Sequence, residues 1–207
     1  MSGTIVVTGT DTDVGKTVFS AALSCAIGAS YWKPVQAGID DGGDRALVER
    51  LGVLPERILP NAYALATPCS PHRAAEIDAV EIDARMLRLP AIDGRLVVEG
   101  AGGALVPVTR SLLFADLFAA WQAPVVIVAR TALGTINHSL LTIEALRTRG
   151  IPIRGVAFVG DAVPDSETTI CDIGGVARLG RLPMLDPLNR ESLAVAFDQH
   201  FSLADFR

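Results

Sequence analysis

The chain has 207 residues, of which 50% are hydrophobic, 20% charged and 5% aromatic, and its net charge is −5. This length and composition predict a single domain, residues 1–207, with an aliphatic core. The acidic balance argues against nucleic acid or an anionic membrane as a partner, because both prefer a basic protein face, and no apolar run reaches the ~18 residues of a membrane span.

Strand-like and helix-like segments alternate along the chain. The predicted strands are residues 4–9, 30–35, 95–99, 124–129, 153–159 and 177–182. The predicted helices are residues 16–28, 43–52, 135–149 and 189–197, whereas residues 55–90, with five prolines, are expected to form loops and short helices. This order predicts a doubly wound, mainly parallel α/β sheet with helices on both faces. Ligands bind at the carboxyl ends of such strands, so the candidate site comprises the loops after Gly9, Lys33, Glu99 and Val159.

The cysteines and the start of the chain bear on the cellular compartment. Cys25, Cys69 and Cys171 are odd in number and lack metal-ligand spacing, which predicts reduced thiols. Met1-Ser2-Gly3 leads into a predicted strand without the pattern of a signal peptide. Both features predict a cytoplasmic protein.

Lysine is rare in this sequence. Lys16 and Lys33 stand against sixteen arginines. Because arginine serves wherever a generic surface cation is sufficient, we expect both lysines to have roles that need a compact ammonium group, such as contact with phosphate.

The segment Thr8–Thr17, TGTDTDVGKT, approximates a phosphate-binding loop. Gly15-Lys16-Thr17 fits the pattern, although the first glycine, Gly9, lies one residue too early. A predicted strand precedes the loop and a helix follows it, as the mechanism requires. Backbone N–H groups would then hold phosphates, with Lys16 supplying charge and Thr17 a hydroxyl for Mg²⁺. The alternative is an ordinary strand–helix turn capped by a threonine.

Four further positions have both a functional and a structural interpretation. Glu99 ends a predicted buried strand, which suits a carboxylate at Mg²⁺ or one that caps the next loop. Asp44 follows two glycines, where it is a second candidate magnesium ligand or the start of a helix. Lys33 would point towards the phosphate loop if the first two strands were neighbours, and would otherwise be a solvated residue at a strand end. The helix start at Thr135 offers free N–H groups for a carboxylate, or routine capping.

Taken together, these segments resemble the dethiobiotin synthetase family. The matching segments are TGTDTDVGKT (8–17), WKPVQAG (32–38), SPH (70–72), VEGAGG (98–103), LGTINHSLLT (133–142) and LGRLP (179–183). They are spread over nearly the whole chain and occur in the family's order. The resemblance implies a P-loop NTPase-like fold and a cytoplasmic Mg-ATP-dependent ligase of biotin biosynthesis. It implies that 7,8-diaminopelargonate and CO2 form a carbamate, that ATP phosphorylates it, and that the second amine closes a cyclic urea.

The resemblance also implies roles for individual residues. Lys16 and Lys33 are the catalytic lysines, with Lys33 beside the carbamate, and the magnesium positions are Thr17, Asp44 and Glu99. Thr12, Lys33 and Ala37 contact the substrate. Asn137 binds the carboxylate of the substrate that lies in the other subunit of a homodimer. The nucleotide-binding positions are Asp13, Val14, Gly15, Lys16, Thr17, Val18, Asp44, Glu99, Gly100, Ala101, Gly102, Gly160, Asp161, Pro183, Met184 and Leu185.

Three residues depart from the family pattern. Ala37 replaces the usual Ser or Thr, and Asp13 replaces a commoner Glu. Gly160 stands where the family often has an Asn that reads the adenine edge. Unless Asp161 or the backbone at 183–185 compensates, we expect weak discrimination between ATP and CTP or GTP.

Other classes of protein fit the sequence less well. An amide ligase of the corrin-pathway type would need a glutamine-hydrolysing domain, for which 207 residues leave no room. A partition or site-selection ATPase usually carries another lysine near the start of the loop and often a basic tail, whereas residues 8–15 lack lysine and residues 193–207 are neutral to acidic. A signalling GTPase would need an Asn-Lys-x-Asp motif, which neither lysine provides.

Overall fold

The computed structural model describes residues 3–39 and 42–207, so that Met1 and Ser2 of the predicted amino-terminal segment lie outside it. The strands are β1 (Gly3–Gly9), β2 (Ser30–Trp32), β3 (Val35–Ala37), β4 (Tyr63–Leu65), β5 (Arg95–Gly103), β6 (Pro107–Thr109), β7 (Leu112–Leu113), β8 (Val125–Arg130), β9 (Ile153–Val159) and β10 (Arg178–Leu182). The α-helices are α1 (Lys16–Ile27), α2 (Gly43–Arg50), α3 (Pro71–Ile77), α4 (Phe114–Trp121), α5 (Thr135–Arg147), α6 (Pro164–Gly174) and α7 (Arg190–His200). Three 3-10 turns lie at Pro55–Arg57, Ala84–Leu87 and Leu203–Phe206.

Six strands form a parallel sheet in the order β10-β9-β8-β1-β5-β2. The prediction of a doubly wound parallel α/β fold is confirmed. β1 and β2 are not neighbours, because β5 lies between them. One predicted boundary was wrong. The predicted strand 30–35 breaks at Lys33 and Pro34, after which β3 pairs with β4 in a separate two-stranded sheet.

The two faces of the large sheet carry separate apolar cores because successive strand residues point to opposite sides. Val6 and Val98 face the core beneath α3, α4, α5 and α6. Val7 and Val97 face the core beneath α1, α2 and α7. In this way the sheet is covered on both faces, which explains its β-branched runs. None of the helices in residues 3–39 and 42–207 combines the length and hydropathy that crossing a bilayer requires.

The irregular segment 55–90 contains a 3-10 turn, β4, α3 and a second 3-10 turn, as its prolines predict. Sequence analysis did not identify α4 or α6. In sequence, α4 is apolar over most of its length and resembles a buried strand, and α6 begins at Pro164.

Gly180 in β10 lies against the end of α7. Its φ is 153°, and a Cβ there would lie 2.2 Å from the carbonyl oxygen of His200. We expect Gly180→Ala to lower the free energy of unfolding by about 2–4 kcal/mol, because β10 and α7 must move apart. The matched control is Gly94→Ala, where φ is also positive but no atom lies within 4 Å. Urea unfolding of both variants measures the difference, and equal losses would point to backbone strain instead of this contact.

Candidate active site

The phosphate loop connects β1 to α1. Gly15 precedes the helix with φ 92°, and Asp13 also has a left-handed φ of 55°. The first N–H groups of a helix have no partner within the helix, and they carry the positive end of its dipole. The start of α1 is therefore suited to binding an anion such as phosphate.

Close packing requires glycine at position 9, one residue earlier than the first glycine of the usual phosphate-loop pattern. A Cβ at Gly9 would lie 2.8 Å from the carbonyl oxygen of Asp11 and from Val14, and 3.0 Å from Cδ of Lys16. The side chain of Lys16 passes over this glycine, and its Nζ donates a hydrogen bond to the carbonyl oxygen of Asp11 at 2.8 Å. Glycine is needed here because the lysine and the loop backbone occupy the space.

Glu99 is the centre of the polar network at the end of the sheet. Its side chain is fully buried, within the extended β5. Oε1 accepts a hydrogen bond from the hydroxyl of Thr17 at 2.9 Å and from Nζ of Lys33 at 3.0 Å. Oε2 accepts one from the hydroxyl of Tyr31 at 3.0 Å. Its position between three donors accounts for a carboxylate that has no contact with solvent.

Lys33 lies between two acids and is 4% exposed. Its Nζ forms ion pairs with Glu99 and with Asp44. Asp44 is in the first turn of α2, and its N–H donates to Oε1 of Gln36 at 3.2 Å. The side chain of Asn61 donates to the carbonyl oxygen of Lys33 at 2.7 Å and fixes the break after β2. The sequence left two positions open for Lys33, one pointing towards the phosphate loop and one in solvent at a strand end; Lys33 lies in the site, which it reaches across β5.

Burial and charge act in opposite directions on the two lysines. Burial lowers the pKa of Lys33, but Glu99 and Asp44 outweigh it, so that its pKa lies above the ordinary value. The pKa of Lys16 is lowered by burial, which the attraction of Glu99 only partly offsets. Burial and the charge of Glu99 hold the pKa of Tyr31 well above its usual range, so that its phenol remains a hydrogen-bond donor.

These groups line a cavity of about 720 Å³ at the carboxyl ends of the strands. Among the predicted site residues that line it are Thr12, Asp13, Gly15, Lys16, Thr17, Val18, Lys33, Ala37, Asp44, Glu99, Ala101 and Gly102. Sequence analysis missed Gln36, Leu47, Pro68, Cys69, Ser70, Pro71 and Val106 as cavity residues. Of these, Gln36 belongs to the WKPVQAG segment, and Ser70 and Pro71 belong to the SPH segment; these segments were the available signals.

A second cavity, of about 520 Å³, adjoins the first across the phosphate loop. Its lining includes the predicted residues Asp13, Val14, Gly15, Val18, Gly160, Asp161, Pro183, Met184 and Leu185. At Gly160, with φ 126°, a Cβ would lie 2.5 Å from the hydroxyl oxygen of Thr131. The N–H of Gly160 donates to the carbonyl of Leu182 at 3.0 Å, and its own carbonyl accepts from Arg181 at 2.9 Å. The backbone of Gly160 is thus already engaged within the protein.

Two predicted residues lie outside both cavities. Gly100 lies against the core between the sheet and α4, where a Cβ would be 3.0 Å from the ring of Phe118. Asn137 is exposed near the start of α5. The same helix contributes His138 and Leu141 to a smaller cavity beside Thr12.

The fold and the phosphate loop define a P-loop nucleotide-binding protein. Residues 3–192 match the family model described as AAA domain. Solved structures with the same fold include the ParA family ATPase from Chlorobium tepidum, with a TM-score of 0.52, 8% identity and coverage of 96% of this chain and 91% of that one. The Aquifex aeolicus MinC:MinD complex matches with a TM-score of 0.55, 16% identity and coverage of 95% and 88%. These identities establish the fold alone.

Curated relatives give the particular family. The ATP-dependent dethiobiotin synthetase BioD of Novosphingobium aromaticivorans is 67% identical over 97% of this chain and 98% of its own length. The BioD proteins of Rhizorhabdus wittichii and Agrobacterium fabrum are 63% and 58% identical over 100% of the chain, and over 99% and 98% of their own lengths. The chain belongs to the ATP-dependent dethiobiotin synthetases, which are ligases of biotin biosynthesis.

Proposed function

We propose that the cavity between the phosphate loop, β5 and α2 forms dethiobiotin from 7,8-diaminopelargonate, CO2 and ATP. One amine of the substrate adds to CO2 and loses a proton, which gives a carbamate. A carbamate oxygen attacks the γ-phosphorus, and ADP leaves. The second amine then attacks the carbonyl carbon, expels phosphate and loses a proton as the urea ring closes. The pairing of buried Lys33 with Glu99 and Asp44 beside the phosphate loop is the observation that supports this proposal.

The two lysines divide the work in this proposal. Lys16, which lies over the phosphate loop, contacts the β- and γ-phosphates. Lys33 stabilises the negative charge on the carbamate and on the phosphoryl group that it receives. Positioning and charge neutralisation supply most of the catalysis in phosphoryl transfer, so two buried ammonium groups in one cavity fit this chemistry.

We propose Mg²⁺ as the metal that accompanies ATP. Thr17 donates a hydrogen bond to Glu99, and Glu99 and Asp44 both form ion pairs with Lys33. The oxygen ligands that these residues offer a metal ion are therefore one hydroxyl and two carboxylates. Hard oxygen donors of this number suit Mg²⁺, which keeps several water ligands and takes others from phosphates. When bound, the ion would neutralise charge on the phosphates, while Thr17, Asp44 and Glu99 hold it in place.

We propose that the substrate lies beside Thr12 and Ala37, and that its carboxylate reaches Asn137 of a second subunit. Asn137 is exposed and does not line the catalytic cavity of its own chain, which supports this role. Leu133 and Leu141, on the same surface, are exposed apolar residues of the kind that a homodimer buries. Sedimentation at micromolar protein concentration tests this proposal, and a monomer that is fully active would contradict it.

We further infer that the chain acts as a single domain in the cytoplasm, with no nucleic-acid or membrane partner.

Phosphate release tests the proposed reaction. The protein is incubated with Mg-ATP and bicarbonate, with and without 7,8-diaminopelargonate. We expect phosphate release to require the diamine and to match dethiobiotin formation in amount. Release that ignores the diamine would instead favour a switch ATPase of the partition type, which shares the fold.

Nucleotide selectivity is expected to be weak. The second cavity contains few polar side chains, and Gly160 presents neither a side chain nor a free N–H to a base. A site without a dedicated reader loses discrimination between bases. We predict that kcat/KM for ATP exceeds that for CTP and for GTP by less than about a hundredfold, or roughly 3 kcal/mol. Steady-state kinetics with each nucleotide measure this ratio, and a larger preference would assign base reading to Asp161 or to the backbone at 183–185.

A further inference from the structure

A third cavity lies on the side of the molecule where α1 ends. It has a volume of about 430 Å³ and is walled by the C-terminal half of α1, the segment after α2 and one face of α7. Its apolar lining includes Leu51, Val53, Leu193, Phe197 and Phe201. This volume is within the range of small-molecule sites, and such sites are mainly apolar with a few placed polar groups.

Two arginines supply the charge of this cavity. Arg57, in the first 3-10 turn, and Arg190, at the start of α7, both line it. Neither forms an ion pair with an acidic side chain within residues 3–39 and 42–207. Burial raises the pKa of the Cys25 thiol, and the nearby charges of Arg190 and Arg57 partly oppose this rise. Asp198 is the acidic member of the lining, so the cavity carries an excess of positive charge.

We propose that this cavity binds a carboxylate carried on an aliphatic chain. The guanidinium groups of Arg57 and Arg190 hold the carboxylate, because their planar forks match its two oxygens. The chain packs against Leu193, Phe197 and the other apolar side chains. Uncharged or cationic chains of the same length lack the group that the two arginines recognise.

This binding site is distinct from the reaction centre. Lys16 and Thr17 begin α1 and Asp44 lies in the first turn of α2, whereas the cavity lies at the far ends of both helices. A ligand here therefore leaves the catalytic cavity open while it contacts α1, the helix that begins with Lys16 and Thr17.

Calorimetric titration with octanoate tests the proposal, with Mg-ADP in the nucleotide site and without 7,8-diaminopelargonate, which is itself a carboxylate on an aliphatic chain and would compete for the cavity. Dethiobiotin, the reaction's own carboxylate product, is titrated in parallel, and octylamine serves as the charge-reversed probe. We expect a carboxylate to bind and octylamine not to bind. The tighter of the two carboxylates identifies the source of the ligand. Absence of binding by both, or equal binding of octylamine, would overturn the proposal.

Variants place the binding in this cavity. We expect Arg57→Gln/Arg190→Gln to weaken carboxylate binding at least tenfold, and Ala194→Phe, at an exposed position in the lining, to block it with both arginines intact. The matched control, Arg50→Gln/Arg88→Gln, removes two exposed arginines outside the cavity and should bind as the unaltered chain does. Diamine-dependent phosphate release by every variant shows that it is folded. Unchanged affinity in the first two variants would exclude this cavity.

Discussion

Lys33→Gln is expected to lower kcat by roughly 10³–10⁵-fold, the range seen when a cation that stabilises a phosphoryl-transfer transition state is removed. The glutamine keeps a hydrogen-bond donor but not the charge. In the folded chain this charge lies between Glu99 and Asp44 and is almost excluded from solvent. The raised pKa of Lys33 keeps it as an ammonium ion at neutral pH. Phosphate release in the presence of saturating diamine measures the effect.

The control for this prediction is the affinity for nucleotide. Lys33 contacts two carboxylates and none of the phosphate loop, so the Kd of a non-hydrolysable ATP analogue should change by less than about tenfold. Removing one member of a buried ion pair also destabilises the fold, by about 3–5 kcal/mol. Urea unfolding therefore has to show that the variant is native under assay conditions. A native variant that retains more than a tenth of the turnover would remove Lys33 from the catalytic step.

Lys33→Arg separates charge from shape. The guanidinium retains the positive charge but is planar and larger than the ammonium group. The space between Glu99 and Asp44 is buried and shaped by Gln36 and Asn61, which fix the backbone on either side. We expect this variant to fold but to remain at least a hundredfold less active than the natural chain, since its charge is displaced from the carbamate.

Part of this site was predictable from the sequence because the signals were local. Gly15-Lys16-Thr17, between a strand and a helix, is a contiguous motif, and β1 and α1 form where its pattern predicts. The contact between Lys33 and Glu99 spans 66 positions of the chain and depends on the strand order. No local pattern states that β5 lies between β1 and β2, so the sequence alone left the position of Lys33 conditional on the strand order.

Residues with an ordinary structural appearance were the hardest to identify. Tyr31 lies in an apolar strand and is fully buried, so in sequence it resembles a core residue, yet its hydroxyl donates to Glu99. Cys69 lies in the proline-rich segment, where periodicity gives no indication of which side chains face the cavity. These roles depend on tertiary packing, which brings separate segments to one edge of the sheet.

Lys16→Gln is expected to weaken nucleotide binding far more than Lys33→Gln does. Lys16 is 6% exposed, and its ammonium already lies over the loop that holds the phosphates. Loss of a buried charge that contacts an oppositely charged ligand costs about 2–5 kcal/mol, which corresponds to a rise in Kd of roughly 30-fold to several thousandfold. Fluorescence titration with the non-hydrolysable ATP analogue measures it.

The pair of variants is its own control, because the same Lys→Gln change is made at two buried lysines of one cavity. The ammonium of Lys16 contacts the carbonyl oxygen of Asp11 in the loop, and that of Lys33 contacts the two acids. If function follows these contacts, Lys16→Gln raises the Kd for nucleotide, and Lys33→Gln lowers kcat at nearly constant Kd. Equal losses of nucleotide affinity in both variants would mean that the lysines act as one cationic site, and the division of labour between them would be wrong.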